Sequence, residues 1–201
     1  MKHSHGRGRH GNPKDVQAYI HRLRKRSRAK WQMPDRIVSV LGLKRGWTVG
    51  DVGCGAGYFS ERLAKKVGPS GRVFACDVEP VILSALRRVV RQAELRNVTP
   101  VLCGPADPML PPKSCHRIVL INVLHHYSDT RKFLRALRPA LKPGGRIVNV
   151  DFVKRELPIG PPPSEKLSRE SFLRQARACG YRLVCEHTFL PYQYFLELTA
   201  R

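Results

Sequence analysis

A chain of 201 residues suits one α/β domain better than two, and it can bury a core without disulfide or metal staples. Hydrophobic residues make up 42% and charged residues 26%, the balance of an ordinary globular protein. No apolar run approaches about 18 residues, which excludes a spanning helix, and the N-terminal MKHSHGRGRHGNPKD has no apolar stretch for a secretory signal.

The net charge of +22 is the outlier, and it is uneven. Residues 1–45 hold thirteen Lys and Arg against Asp15 and Asp35, half of the total. Six of the ten residues in HRLRKRSRAK (21–30) are basic. Three readings stand open. Such a run attracts phosphate polyanions; it is also what a solvated helix face in an arginine-rich chain looks like; and a mitochondrial transit peptide is basic and acid-poor. Six cysteines (54, 76, 103, 115, 179, 185) show no C-x-x-C pair and no zinc spacing, and several sit in apolar runs. That usage predicts a reducing, cytoplasmic setting.

Helical spacing of Val16, Tyr19, Ile20 and Leu23 predicts a helix between Pro13 and Lys30, and a short one follows from Pro34 to Leu41. A regular alternation comes next. TVGDV is a strand, YFSERLAKKVG a helix, RVFACD a strand, and PVILSALRRVVRQAEL a helix with proline in its first turn. VTPVLC, RIVLIN and GRIVNVDF are further strands, with TRKFLRALRPAL as a helix before the last. Continuous apolar strands alternating with helices mean a mostly parallel sheet covered on both faces. After a proline-rich loop and a helix from Ser168 to Ala178, YRLVCEH and QYFLELT form a terminal hairpin.

In open α/β sheets a ligand sits beyond the carboxyl ends of the strands. The loop after the first strand reads VGDVGCGAGYFS. It fails the dinucleotide fingerprint, because Tyr58 stands where the third glycine is needed, and it lacks the Gly-Lys-Ser/Thr of a phosphate-binding loop. What it holds is Asp51, Gly53, Gly55 and Gly57, with Asp77 ending the next strand. Glycines let backbone approach a ligand closely. A carboxylate at Asp77 is placed to accept two ribose hydroxyls, and the free N–H groups of the following helix suit an anionic group. A nucleoside with an amino-acid tail fits these parts.

Together with the D-x-L-P-like loop at Asp107, L-H-H after strand four and L-K-P-G-G before strand five, the chain resembles the class I S-adenosylmethionine-dependent methyltransferases from about residue 31 to 199. WQMPDRIV, GPPP and FLPYQYFL are similar to a bacterial subgroup of that family with no settled substrate. The resemblance implies a Rossmann-like α/β fold: a seven-stranded, mostly parallel sheet, helices on both faces, and a seventh strand inserted antiparallel next to the edge. It divides the chain into a basic helical extension (1–30) and a methyltransferase domain (31–201). It implies S-adenosyl-L-methionine as cofactor, with Asp51, Gly53, Gly55 and Gly57 at the methionine end, Asp77 on the ribose, Val78 on the adenine, Asp107 toward the adenine amino group, and Asn122 in the same cleft. The family's usual G-D-A stands here as Gly104-Pro105-Ala106-Asp107, and His116-Arg117 replaces the aspartate that normally begins strand four, a structural position.

Methyl transfer from a sulfonium needs placement and exclusion of water, and a base only when the acceptor must lose a proton. His125, His126 and Tyr127 are the candidates. His125, His126 and His187 have no ligand spacing, so no metal is expected, and the tract His3, His5 and His10 suggests only adventitious metal. The expected acceptor is a small molecule, chosen by the N-terminal helix, Trp31–Met33 and the loop 157–164. The alternatives are an RNA methyltransferase using residues 1–45 as an electrostatic arm and a non-catalytic cofactor-binding module.

Overall fold

The structure is a computed structural model and describes residues 16–127 and 129–201. The expected N-terminal helix is broken into pieces: α1 (Val16–Leu23), a 3-10 turn (Arg26–Arg28) and α2 (Ala29–Gln32). Met33, at φ 46°, turns the chain into α3 (Pro34–Val40), where proline takes the first helical position. The motif His3, His5 and His10 lies outside the described residues.

The alternation read from the sequence is realised as β1 (Thr48–Val52), α4 (Ser60–Val67), β2 (Arg72–Asp77), α5 (Pro80–Gln92), β3 (Val98–Leu102), β4 (Cys115–Ile121), α6 (Thr130–Leu137) and β5 (Leu141–Phe152). Then come α7 (Arg169–Ala178), β6 (Tyr181–His187) and β7 (Gln193–Ala200). One sheet holds all seven strands in the order β3-β2-β1-β4-β5-β7-β6. The first five pair in parallel, and β7 runs antiparallel between β5 and β6. Pro100 lies in edge strand β3, where a missing N–H costs least.

Two boundaries differ from expectation. α4 begins at Ser60 because residues 55–59 are turns set by the glycines before them. β5 begins at Leu141 instead of Gly145: Cys115 pairs with Leu141, the register then shifts, and Arg117 pairs with Arg146.

The period-2 alternation of the strands feeds two cores, one on each face. Val49, Val73, Val119, Val148 and Phe195 pack under α3, α4 and α5. Val52, Cys76, Leu120, Ile147 and Leu196 pack under α6 and α7. Fully buried side chains such as Phe133 and Leu63 each contribute roughly 1.5–3 kcal/mol. All parallel strands therefore end on one rim, where the loops after β1, β2, β4 and β5 meet.

Candidate functional site

The glycine loop is fixed by its own backbone. Gly53, Gly55 and Gly57 all have positive φ (73°, 54° and 81°), conformations that other residues adopt only at a cost. A Cβ on Gly53 would come within 2.5 Å of Val123, and one on Gly57 within 2.5 Å of Leu86. The amides of Gly53 and Cys54 both donate to the Cys76 carbonyl, at 2.8 and 3.0 Å, so the loop is stitched to the end of β2. Gly53 packs on Val123 yet is exposed, so its backbone is open to a ligand.

Asp77 closes that end. One carboxylate oxygen accepts the Gly55 amide at 2.9 Å and the other the Glu79 amide at 3.1 Å. The second contact turns the chain into α5. Burial raises its pKa, and the amides oppose the rise. A carboxylate offers about four lone-pair sites, so these amides leave it capacity to accept from a ligand hydroxyl. Val78, next along, is exposed at 42%, an apolar side chain free to meet a flat ring.

Asp51 is a different case. It is buried, and Ser60 at the start of α4 donates to it at 2.6 Å. Burial raises its pKa to about 6. Its carboxylate buckles β1 to α4 below the loop, and only the loop backbone beyond it opens toward a ligand. Asp107 is exposed, and its carboxylate accepts the Met109 amide at 2.8 Å within a tight turn bridged to Gly104. The Cys103 amide donates to the Asp77 carbonyl, which brings that turn beside Asp77.

Asn122, just past β4, has φ 59°, unusual for a residue with a side chain. Its amide donates to Val150 and its side-chain oxygen accepts from Gln193. Three buried polar atoms on this rim lack a partner among the described residues: Gln32 Nε2, the Tyr58 hydroxyl and Gln193 Oε1. Buried polar groups are almost always bonded, so donors and acceptors are held ready for a ligand rich in both. A carboxylate, an amine and ribose hydroxyls supply them, and the cleft fits S-adenosylmethionine on that ground.

The N-terminal segment reaches over the same loop. Arg24 donates to the Ala56 carbonyl at 3.0 Å and pairs with Glu61 at 3.1 Å. Arg28 lies over the Tyr58 ring and bonds Gln32.

At the β4–β5 end the three expected catalytic residues part company. His125 Nδ1 lies 2.7 Å from Asp151 Oδ1, and both side chains are buried (5% and 1% exposed). A carboxylate there holds the ring proton on Nδ1 and leaves Nε2 as a basic lone pair. His126 is exposed with its ring against His125 at 4.1 Å. Tyr127 takes a packing position instead of a catalytic one: its ring stacks on Phe133 at 3.9 Å, and burial pushes its phenol well above the usual range. The buried thiols Cys54, Cys76 and Cys103 are pushed up for the same reason, so none is a ready nucleophile.

Phe152 extends this end into a wall. It lies 5.7 Å from Trp31 and 6.3 Å from His125, centroid to centroid. Gly160, at φ 87°, brings the 153–166 loop onto its face, and buried Lys166 ties that loop down by donating to the Arg155 carbonyl at 2.7 Å. Burial lowers the Lys166 pKa. Tyr194 and Phe195 on the last strand are buried in the core. His187 is on the Phe195 side of the sheet, opposite Asp151, so it does not join His125. His116 accepts the Thr48 amide and stacks on Trp47, a structural post at the start of β4.

Asp151 and Gln193 were not singled out in the sequence, Gln32 was included only within the Trp31–Met33 segment, and Tyr58 was noted only for breaking the dinucleotide fingerprint. The signal for Asp151 was available: an acid inside the apolar NVDF can be buried only with a partner.

A family model described as a methyltransferase domain matches residues 49–145. A demethylmenaquinone methyltransferase from Listeria welshimeri is 27% identical over 129 residues, 64% of this chain and 54% of that protein. A ubiquinone/menaquinone biosynthesis C-methyltransferase from an Enterobacter species is 30% identical over 154 residues, 76% of this chain and 57% of that protein. The chain thus spans about half the length of the curated relatives it matches. Among solved structures, a SAM-dependent methyltransferase from Aquifex aeolicus superposes with a TM-score of 0.86 at 29% identity, covering 92% of this chain and 97% of that one. A TehB-like methyltransferase from Corynebacterium glutamicum shares the fold at TM-score 0.72 and 19% identity.

Proposed function

Because the chain belongs to the class I S-adenosylmethionine-dependent methyltransferases, we propose that it methylates a small planar acceptor whose proton is taken by His125. The 2.7 Å pairing of His125 with Asp151 beside an aromatic wall is the observation that carries this reading. S-adenosylmethionine, when bound, supplies a methyl group on a sulfonium that leaves without an acid. The protein's work is then to hold, align and dry the acceptor.

In this reading Asp77 takes the ribose hydroxyls, Val78 and Asp107 meet the adenine, and Gln32 and Tyr58 meet the methionine end. His125 accepts the acceptor's proton at Nε2, and buried Asp151 stabilises the imidazolium that results. Trp31 and Phe152 present flat apolar faces, which suit a ring. Two of the matched relatives are named for demethylmenaquinone and for ubiquinone/menaquinone biosynthesis, which also favours a ring acceptor. Six free cysteines, five of them buried, support a reducing, cytoplasmic setting, and no helix among the described residues is long and apolar enough to cross a membrane.

Labelled methyl from S-adenosylmethionine, incubated with a host extract and Asp77→Ala as the blank, is expected in the small-molecule fraction. Label confined to RNA or protein rejects the acceptor class. Asp151→Asn is expected to lower kcat about tenfold or more and to leave cofactor affinity unchanged; an unchanged kcat removes Asp151 from the reaction.

A second reading rests on a cavity of about 440 Å³ between α6 and α7, lined in part by Arg131, Arg135 and Arg174. Among the described residues Arg131 and Arg135 have no acidic partner within 4 Å. These arginines favour a phosphate polyanion, RNA first, with Asp129 also in the lining and the basic N-terminal segment on the other face of the sheet, against α4 and α5. An RNA affinity that falls steeply with salt supports it.

A further inference from the structure

On the face of the sheet away from Asp151, the terminal hairpin gathers three metal-ligating side chains. Cys185 and His187 are two residues apart on β6, so both point to one face. Glu197 on β7 stands directly opposite Cys185, and Phe195 opposite His187. A register shift between Leu183 and Cys185 re-aims the edge strand at this point. Cys185 Sγ lies 3.7 Å from His187 Nε2, and the same nitrogen lies 3.0 Å from Glu197 Oε1. All three ligand atoms fall within 4.8 Å of one another.

Both neighbours converge on a single ring nitrogen. An imidazole nitrogen has one proton or one lone pair, so the thiol at 3.7 Å and the carboxylate at 3.0 Å share it unequally. A cation at the centre satisfies all three. Zinc bonds of about 2.3 Å to sulfur and about 2.0–2.1 Å to nitrogen and oxygen, in a tetrahedron, separate sulfur from nitrogen by about 3.6 Å and nitrogen from oxygen by about 3.3 Å. The observed 3.7 Å from sulfur to nitrogen and 3.0 Å from nitrogen to oxygen are within a few tenths of an ångström of these, and sulfur and oxygen lie within 4.8 Å.

The surroundings orient the ligands. Arg146 donates to the other Glu197 oxygen at 3.1 Å, which keeps Oε1 turned toward His187. The Phe195 ring lies 4.2 Å from the imidazole and Phe189 6.2 Å, fixing its plane. Cys185 and His187 are half-buried, so a fourth position is open to water. Arg146 and buried Arg117, whose Nε is 3.9 Å from Glu197, oppose any bare cation. That opposition selects against hard ions, which gain nothing from sulfur, and leaves a soft ion that binds the thiolate.

We propose that Cys185, His187 and Glu197 form a zinc site that clasps edge strand β6 to β7. Its role is structural, remote from the methyl-transfer cleft.

Cobalt(II) is the probe, added to the full-length chain under reducing conditions. One equivalent is expected to give the near-ultraviolet absorption of a cobalt–thiolate bond, and zinc to displace it. Cys185→Ser, a near-isosteric change at a half-buried position, is expected to abolish the band; His187→Gln is the second variant should the first fold poorly. A variant with alanine at His3, His5 and His10 is expected to keep it, because residues 1–15 contain no thiol. Absence of the band, or a band that survives Cys185→Ser, overturns the site.

Discussion

At the β1–β2 end of the cleft the groups proposed to hold the cofactor are chiefly the loop backbone and the Asp77 carboxylate within residues 49–79, with Gln32 and Asp107 added from outside that stretch. At the β4–β5 end they are the side chains of Trp31, His125, Asp151, Phe152 and Lys166, brought together from four separate segments. The first end is held by main-chain bonds such as those from Gly53 and Cys54 to Cys76 and from Gly55 to Asp77. The second is held by ring contacts and by the His125–Asp151 pair. Main-chain geometry suits a ligand that never changes, whereas side chains can be exchanged as the acceptor changes.

The sharpest way to break this comparison is His125→Ala. It is expected to lower kcat by about 10²–10⁴ with no loss of cofactor affinity, read by single-turnover kinetics and calorimetry. A variant that loses cofactor affinity as well would erase the division between the two ends. Asp77→Ala is the mirror test. Cofactor at a hundred times its Kd stabilises a fold by about 2.7 kcal/mol, and that gain is expected to vanish while far-ultraviolet circular dichroism stays the same. An undiminished thermal shift would move the ribose site elsewhere.

Asp51 sharpens the point by pH. Its folded pKa of about 6 lies above the ordinary 3.8, so between about pH 4 and pH 6 the folded chain binds more protons than the unfolded one. Asp51 therefore costs stability progressively as pH rises through that window. Asp51→Asn is expected to gain on the order of 1–3 kcal/mol over the parent at pH 7 and little at pH 4. Urea unfolding at the two pH values checks this, and an equal gap at both would mean that Ser60 already offsets the burial. The smallest effect is Trp31→Ala, expected to raise KM for a ring acceptor severalfold with kcat nearly unchanged. A fall in kcat alone would place Trp31 in alignment instead of binding.

The same division governs what could be read in advance. The seven strands and the glycine loop were legible, because continuous apolar runs and glycines at alternate positions have few other uses, and the antiparallel insertion of the last strand was implied by the family resemblance. Asp77 was legible as the acid ending β2, but its two amide contacts were not, because they depend on how the loop folds back. In HHY the spacing says nothing about which ring meets Phe133 and which meets Asp151; only the register of β5 decides it. Gln32, Tyr58 and Gln193 were hidden because an orphaned polar atom exists only once its surroundings are packed. Asp107 was read through the missing G-D-A, and its turn is tied down by contacts that no motif records.

Charge density draws a boundary at residue 30, but the hydrogen bonds of Arg24 draw it further upstream. A shortened chain starting at residue 31 would remove the guanidinium on the Ala56 carbonyl, the partner of Glu61 and the cation over Tyr58. It would also strip Gln32 of its Arg28 contact. Trimming the basic segment to improve handling would therefore unroof the cofactor cleft, and the loss of binding that followed could be mistaken for evidence that the domain has no cofactor.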